Sequence, residues 1–413
     1  MVPVEPITVE VMLPASEFLT SARTAGGFGR TSELIGGDGS RVGFIAHQYS
    51  ADSLEARTLV RFIPGATSVT VLDTTGASVS DTLLTTLNAF LVGIVDTAAS
   101  VYEDSVGISV GRVDRIWHGE TASWEWAVDS VGAQEPWTEP GAGPVAFLAE
   151  GTWVPTVSAD TFRIPLDSAA LSMVQDSTTR VRGVRLDTRT PGTRLRISNF
   201  SIQVEVQPSV NPDTSVVLTS PADDFSGVTF IYDPIPSPTG GELRVGGAPA
   251  WRASLSLALP AQLTGPAALC AVVTCPLTLR ADELSSAQLL LTTIEGPPAF
   301  QPRDSISIGA RQLLAPETFP RSPLGDLLTP FAGIRISGPA FSSAPGQTVP
   351  VSITPFIQNL IEPDSGTVAV NSLALISPVE PSSLEFMSFA GLGGSGAPVL
   401  RLILTVGGKV GIR

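Results

Sequence analysis

Lysine and histidine are nearly missing from this chain of 413 residues. Lys409 is the only lysine, so a mechanism that uses a lysine base or a Schiff base has no residue elsewhere in the chain. His47 and His118 are the only histidines, and a Ser-His-Asp triad needs one of them as its base. Around Ser226 and Ser395 the nucleophile motif Gly-x-Ser-x-Gly is incomplete. We therefore predict that the chain has no catalytic residues and is not an enzyme.

Positive charge is also scarce. Lysine and arginine together number 24 against 39 acidic residues, which gives a net charge of −15. Such a surface repels a phosphate backbone, so we predict no nucleic-acid partner. The neighbouring acids Glu103–Asp104 and Asp223–Asp224 would point to opposite faces of a strand and would not form a catalytic pair. With Asp38 they offer oxygen ligands for calcium, but without EF-hand-like spacing; we predict no cofactor and leave a structural calcium unassigned.

Long apolar runs are missing as well. No segment approaches the roughly 20 residues that a membrane helix needs, so we predict no transmembrane segment. The first residues, Met1 to Pro6, lack the basic and apolar regions of a signal peptide. Either the export signal is not present in this numbering or the protein stays inside the cell. We predict the first, an extracellular or cell-surface protein.

Cysteine is limited to Cys270 and Cys275, which enclose four residues. Together with two distant histidines they are too few for a metal site. The pair could remain as two buried thiols, but the close spacing in a strand-rich chain favours a disulfide bond. A ring this short would stabilise the fold by only about 2 kcal/mol.

Strand-like segments are what the chain does contain, and they occur twice. Each half has an arginine followed by an apolar segment, at Arg57 and at Arg252. An alternating segment and a closing hydrophobic strand follow in each half: Phe162–Asp167 and Leu195–Val206, then Val349–Thr354 and Val399–Val406. A period of about 200 residues indicates two homologous domains and is too long for a solenoid repeat.

These patterns predict an all-β chain of two tandem antiparallel β-sandwich domains. The 39 glycines and 35 prolines fit short strands joined by turns. Residues 81–96 could form a helix, although residues 89–95 fit a buried strand equally well. We place an N-terminal extension with a short strand at 1–30, the first domain at 31–207, a proline-containing linker at 208–213 and the second domain at 214–413.

Tryptophan is the residue with which this chain could bind a sugar, because its face stacks on a pyranose ring. Trp124 and Trp126 share one face of an alternating segment at residues 121–128, which predicts a core position. Trp117, Trp137 and Trp153 lie in polar or proline- and glycine-rich surroundings, and Trp137 is the best candidate for an exposed platform. The alternative is that these three also pack inside the protein, as tryptophans usually do.

The order of these motifs resembles the DNRLRE (disaggregatase-related) domain family. The residues that carry the resemblance are Arg57-x-x-x-Arg-Phe62, Trp117, Ala122-Ser-Trp124, Pro136-Trp137-Thr-x-Pro-Gly, Phe162-x-Ile-x-Leu and Gly183-Val-Arg-Leu. The second half looks like a divergent copy, with Arg252, the strand after Ala287, Val349-x-Val-x-Ile and Gly366-Thr-Val-Ala-Val, but without the tryptophan-rich strand. The resemblance implies a β-sandwich or jelly-roll module of exported microbial proteins, related to polysaccharide-binding modules.

Two classes of function remain open. The first is a non-enzymatic structural or adhesive subunit of an extracellular fibre or cell-surface assembly, whose partners are its own copies or other surface proteins. The second is a carbohydrate-binding module that recognises a polysaccharide. We favour the first, because no catalytic domain accompanies the chain and the aromatic positions are not repeated in the second half.

The N-terminal segment is the candidate assembly strand. Ile7, Val9 and Val11 alternate with polar residues, and the stretch that follows offers no nearby hairpin partner. The strand must therefore pair with something distant, either an edge of its own sandwich or the sheet of a neighbouring subunit. We favour the neighbouring subunit, because a tether of this length can reach beyond its own domain.

Overall fold

The computed structural model describes residues 6–26, 42–130, 132–155, 160–223, 227–247, 250–264, 270–271, 273–320, 322–330, 332–363, 370–378 and 380–407. Asp38, Asp224, Ser226 and residues 366–369 of the sequence predictions lie outside these ranges.

Strands dominate the described residues. In chain order they are β1 (Pro6–Pro14), β2 (Leu19–Ala25), β3 (Val42–Tyr49), β4 (Leu54–Val60), β5 (Val69–Leu72), β6 (Ser78–Asp81), β7 (Leu84–Val95), β8 (Val106–Val113), β9 (Trp126–Ser130), β10 (Ala133–Pro136), β11 (Val145–Trp153), β12 (Thr161–Pro165), β13 (Val184–Thr188), β14 (Thr193–Pro208), β15 (Val216–Pro221), β16 (Val228–Asp233), β17 (Leu243–Gly246), β18 (Arg252–Leu257), β19 (Gln262–Leu263), β20 (Leu277–Thr278), β21 (Leu284–Thr292), β22 (Ile306–Leu313), β23 (Leu324–Leu327), β24 (Ile334–Ile336), β25 (Thr348–Ser352), β26 (Ser372–Ile376), β27 (Phe386–Phe389) and β28 (Val399–Gly407).

The helices are short. They are α1 (Ala15–Phe18), α2 (Ser168–Gln175), α3 (Ser177–Arg182) and α4 (Thr354–Ile361), with 3₁₀ turns at Ala281–Glu283, Pro298–Phe300, Pro316–Thr318, Gly338–Phe341 and Glu380–Ser382. The predicted all-β class is confirmed. The ambiguous segment at 81–96 forms strand β7.

The chain forms two compact units that are nested along the sequence. Residues 27–235 make one unit, which we call the inserted unit, and residues 1–26 together with 236–413 make the other, the split unit. This division differs from the predicted tandem order, because the N-terminal extension groups with the second half and residues 208–235 group with the first. The predicted linker is held there by hydrogen bonds: the Ser209 hydroxyl and the Val210 amide both donate to Asp81.

The inserted unit has the strand order of a jelly roll. One run of paired strands is β3-β14-β7-β12 and the other is β4-β13-β8-β11, with β15 added to β14 and β16 added to β4. Pairing of β3 with β4 joins the two runs into one ten-stranded sheet. The chain passes back and forth between the two runs, as in the jelly-roll arrangement of two packed sheets. Their apolar faces enclose a core that includes Ile45, Leu91, Val110, Leu186 and Ile197.

The split unit repeats most of this order, but β17 and β27 pair in a separate two-stranded sheet. Its strands run β1-β28-β21-β25 in one sheet and β2-β18-β26-β22-β23 in the other. The core between them includes Leu255, Leu289, Ile308, Leu375 and Leu402. Cys270 and Cys275 form the predicted disulfide bond in this unit.

The strand likeness predicted from the sequence extends to the pairing. The Arg57 and Arg252 strands, β4 and β18, each pair with the equivalent neighbour, β13 and β26. β12 pairs with β7, and β25 pairs with β21, the equivalent strand of the split unit. Each of the two is followed by an eight-residue helix, α2 after β12 and α4 after β25. These two helices are not predicted by the sequence patterns considered above, because they span only two turns.

The N-terminal strand pairs within its own chain. β1 lies antiparallel to β28 over nine residue pairs, from Pro6 opposite Gly407 to Pro14 opposite Val399. Val9 and Val11 are buried in the core of the split unit, and Ile7 packs against it. The distant partner that we expected is therefore β28, the C-terminal strand. The segment closes an edge of its own chain's sheet, whereas we had favoured the sheet of a neighbouring subunit. The apolar face of β1 drives this, because its core positions match those of β28.

Candidate functional site

A shallow trough lies on the outer face of the sheet that contains β8. The inward positions of β8 are apolar and buried, whereas its outward positions hold Gly107, Ser109 and Gly111. Since residues alternate between faces along a strand, the centre of this outer face carries almost no side-chain bulk. The neighbouring strands β11 and β13 carry large side chains in the same rows.

One wall of the trough comes from β11, and the turn after β13 supplies Arg189 and Thr190 on the other side. On β13, Arg185 lies opposite Gly111 and Asp187 lies opposite Ser109. On β11, Phe147 lies opposite Gly111 and Glu150 opposite Ser109. Residues that lie opposite each other on paired strands share a face, so these side chains border the same strip of surface.

Phe147 is the aromatic residue of this surface. Its side chain is 62% exposed, although phenylalanine is usually buried. The pairing of β11 with β8 shifts register between Phe147 and Ala149, and such a bulge changes the direction in which a side chain points. The ring therefore stands at the edge of the trough with a face open to solvent.

The other end of the trough is set by the turn after β13. The Thr190 hydroxyl oxygen accepts a hydrogen bond from the Gly107 amide at 3.0 Å, and the Thr188 hydroxyl donates to the Gly107 carbonyl at 2.7 Å. These bonds hold exposed Arg189 beside Gly107. The trough has a volume of about 530 Å³ and contains an aromatic ring, a guanidinium group, a carboxylate and hydroxyl groups.

The adjoining half of the sheet is covered by residues 114–130 and 132–144. Arg57 and Arg185 both donate to the carbonyl oxygen of Gly141, at 2.5 and 3.2 Å. The Arg57 guanidinium also lies 4.6 Å from the centre of the Trp124 ring. Burial, followed by the charge of Arg185, lowers the pKa of Arg57 below its usual value. These contacts fasten the covering segment over β4 and leave β8 and β11 open.

The three tryptophans predicted to bind sugar are all buried. Trp117, Trp137 and Trp153 are 1%, 4% and 3% exposed. Trp117 and Trp137 pack with Leu59 and Ile231 beneath the covering segment, and their indole N–H groups donate to the carbonyls of Arg182 and Ser123. Trp153 contacts Tyr102 edge to face in the main core. None of them can serve as an exposed platform, and the packing alternative is the correct one.

The predicted face of residues 121–128 is also wrong. Only Trp126–Ser130 form a strand, and its buried positions are Ala127 and Asp129. Trp124 and Trp126 are half-buried. Alternation indicates two faces but does not say which one faces inward; here small Ala127 fits against the cluster beneath the covering segment.

The sequence contains a pattern that marks the trough, although it resembles the nucleophile motif of serine hydrolases. Gly107-Ile-Ser109-Val-Gly111 has the spacing of a Gly-x-Ser-x-Gly nucleophile motif. That motif requires a strand-to-helix turn that projects the serine, whereas Ser109 lies in the middle of β8. The glycines instead keep the outer face of the strand flat: a β-carbon on Gly111 would come within 2.6 Å of Val145.

A second groove, of about 780 Å³, lies between β7 and α2. Its aromatic residue, Phe90, is covered by the Arg163 guanidinium, 4.5 Å from the ring centre. Asp167 accepts a hydrogen bond from the Ala170 amide at the start of α2, so this carboxylate serves the helix. The Phe147 trough is therefore the better candidate site.

The described part of the chain offers neither a metal-binding cluster nor a membrane-spanning helix. No group of three or more histidine, cysteine, aspartate or glutamate residues there could hold a metal ion. No helix there is long and apolar enough to cross a membrane.

The chain matches no protein-family model and no curated protein sequence. The resemblance to the DNRLRE family therefore stays a prediction.

Proposed function

We propose that this chain is a non-enzymatic, exported adhesive protein, a subunit of a cell-surface or extracellular assembly that binds polysaccharide through the Phe147 trough. The exposed ring of Phe147 beside a row of small residues is the observation that carries this proposal. A flat aromatic face next to polar groups suits a sugar ring, which has apolar C–H faces and hydroxyl groups at its edge. The volume of about 530 Å³ fits a short glycan segment.

The polar groups of the trough indicate how such a ligand would be oriented. Glu150 and Ser109 would accept hydrogen bonds from sugar hydroxyls, and Arg189 would donate them. Arg189 also favours a carboxylate or sulfate group on the ligand. An acidic polysaccharide must still approach a chain with net charge −15, so its binding depends on this local positive group.

Replacing Phe147 with alanine tests the proposal. We expect F147A to lower affinity on a glycan array and in titration calorimetry by at least about tenfold, or about 1.4 kcal/mol, without changing the circular dichroism spectrum. Leu83→Ala is the matched control, because Leu83 is an apolar side chain of the same unit that is 73% exposed. Binding that is unchanged in F147A, or an intact protein that binds no glycan, contradicts the trough as a glycan site.

A second variant distinguishes acidic from neutral ligands. Arg189→Ala should weaken an acidic glycan more than a neutral one, and the difference should shrink at high salt because screening weakens the ionic contribution. An equal loss for both ligand types would show that Arg189 acts only as a hydrogen-bond donor.

A further inference from the structure

The two units take their leading strands from each other's half of the sequence. Pro14-Ala-Ser-Glu-Phe18 follows β1, and Pro221-Ala-Asp-Asp-Phe225 follows β15, so the two strands end in nearly the same sequence. We call residues 6–25 the first lead and residues 216–233 the second lead. Each lead stands in front of one copy of the repeated strands: the first before β3 and β4, the second before β17 and β18.

The leads occupy equivalent positions in the two units. β1 pairs with the closing strand β28, and β15 pairs with the second half of the closing strand β14. After the shared Pro-Ala sequence the chain reaches the opposite sheet, where β2 pairs with β18 and β16 pairs with β4. The first lead therefore completes the second copy, and the second lead completes the first copy.

The contacts of the first lead are extensive. Val9, Val11, Leu13 and Phe18 are buried in the core of the split unit. Polar contacts help to fix the register of the lead: Arg401 donates to Glu10 at 2.7 Å, and the Thr24 hydroxyl donates to the Glu242 carbonyl at 2.8 Å. The split unit thus has a deep acceptor groove between β28 and β18 that a separate piece of chain fills.

We propose that the first lead of one molecule can fill the acceptor groove of a second molecule, so that copies link head to tail. The contacts are the same whether the lead comes from the same chain or from another one, as in domain swapping. When each molecule donates its lead to the next one, the contact is heterologous and can continue into an open chain of subunits. Residues 26–41 connect the lead to β3 and span at most about 55 Å, which limits how far the donated lead can lie from its own inserted unit.

This inference rests on the proposed role as an assembly subunit and is independent of the glycan trough. Within one molecule the lead has a high effective concentration, so exchange should increase with protein concentration and after refolding of mixed chains.

The test uses two single-cysteine variants of the full chain. Thr8 and Thr405 lie opposite each other on β1 and β28, and both are exposed. Thr8→Cys and Thr405→Cys chains, one of them isotopically labelled, are mixed, unfolded without reductant, refolded together at high concentration and oxidised. We expect a disulfide-linked heterodimer, identified by mass. Thr8→Cys mixed with Thr219→Cys, an exposed threonine on β15 of the inserted unit, is the matched control and should give far less.

The double variant Thr8→Cys/Thr405→Cys checks that the pair can react, and Met12→Cys with Arg401→Cys supplies a second facing pair. If a double variant closes within its chain but the mixed single variants give no more heterodimer than the control, the proposal is wrong. Light scattering of the unmodified protein separates the two proposals. Multimers that form without any cross-link between Thr8→Cys and Thr405→Cys would show that the protein assembles through another surface. Monomers at all concentrations would contradict both the exchange of the lead and the role as an assembly subunit.

Discussion

At the residue scale, the split unit contains acidic and basic side chains that are almost completely withdrawn from water. Arg244 and Glu242 are 1% and 5% exposed and form a salt bridge at 2.8 Å. Arg244 also donates to the Pro236 carbonyl, and the Ser388 hydroxyl donates to Glu242 at 2.5 Å. The chain re-enters the split unit at Pro236, so this pair fastens the place where the inserted unit ends.

Removing one partner of this pair should therefore destabilise the split unit strongly. We expect Arg244→Met to cost about 3–5 kcal/mol, because it leaves the Glu242 carboxylate buried without its counter-charge. Urea unfolding followed by a probe in the split unit measures this. Arg280→Met, in the exposed pair with Asp282, is the matched control and should leave the midpoint unchanged. Equal effects of the two variants would show that burial does not matter here.

Asp81 predicts a pH dependence for the inserted unit. Hydrogen bonds from the Leu83 amide above all, and from Val210 and Ser209, lower the pKa of Asp81 below its usual value. The carboxylate therefore stabilises the folded state above the unfolded pKa of about 3.9, and this contribution is lost as the pH falls below that value towards the folded pKa. We expect Asp81→Asn to be less stable than the native protein at pH 6 and to lose less stability between pH 6 and pH 3. Parallel urea curves at the two pH values measure this, and an identical loss in both proteins would contradict it.

At the element scale, β1 belongs to the core that it completes. Deleting residues 1–20 removes Val9, Val11, Leu13 and Phe18, which each contribute about 1.5–3 kcal/mol by burial. Their sum of about 6–12 kcal/mol is comparable to the whole stability of a domain. We expect the split unit to unfold and become protease-sensitive while the inserted unit stays folded. Thr8→Ala, on the exposed face of β1, should have no such effect, and a truncated protein with full protease resistance would contradict this assignment.

The same scale shows what the sequence can and cannot predict. The strands around Arg57 and Arg252 are predictable, because an alternating or continuous apolar pattern has a direct counterpart in burial. The partner of β1 is not, because both leads are short strands with the same Pro-Ala end, and a short strand does not specify which of two similar sheets it joins. The trough escapes prediction for a different reason: local sequence does not say which face of β8 and β11 stays open, and Gly107 and Gly111 matter for the side chains that they lack.

At the scale of the whole molecule, the exchange of leads determines which fragments should fold. The predicted boundary after residue 207 separates β14 from β15 and β16, which complete the same unit. Residues 27–235 contain the second lead and all strands of the inserted unit. We expect this fragment to fold alone, with a cooperative melting transition, whereas residues 31–207 should be markedly less stable. Equal melting temperatures for the two fragments would show that the second lead contributes little.

The complementary fragment, residues 236–413, lacks any lead and leaves the acceptor groove of the split unit empty. We expect it to be poorly folded alone and to fold when a peptide of residues 6–26 is added, because that peptide restores the nine residue pairs between β1 and β28 and the buried face of β1. A peptide of residues 216–235 is the informative comparison, since it has the same Pro-Ala end but carries Val217 where β1 has an outward polar residue. Circular dichroism and proton NMR titrations with each peptide measure the folding. Tight folding by the first peptide and weak folding by the second would mean that side-chain fit enforces the exchange, whereas equal binding would mean that chain connectivity alone selects the lead.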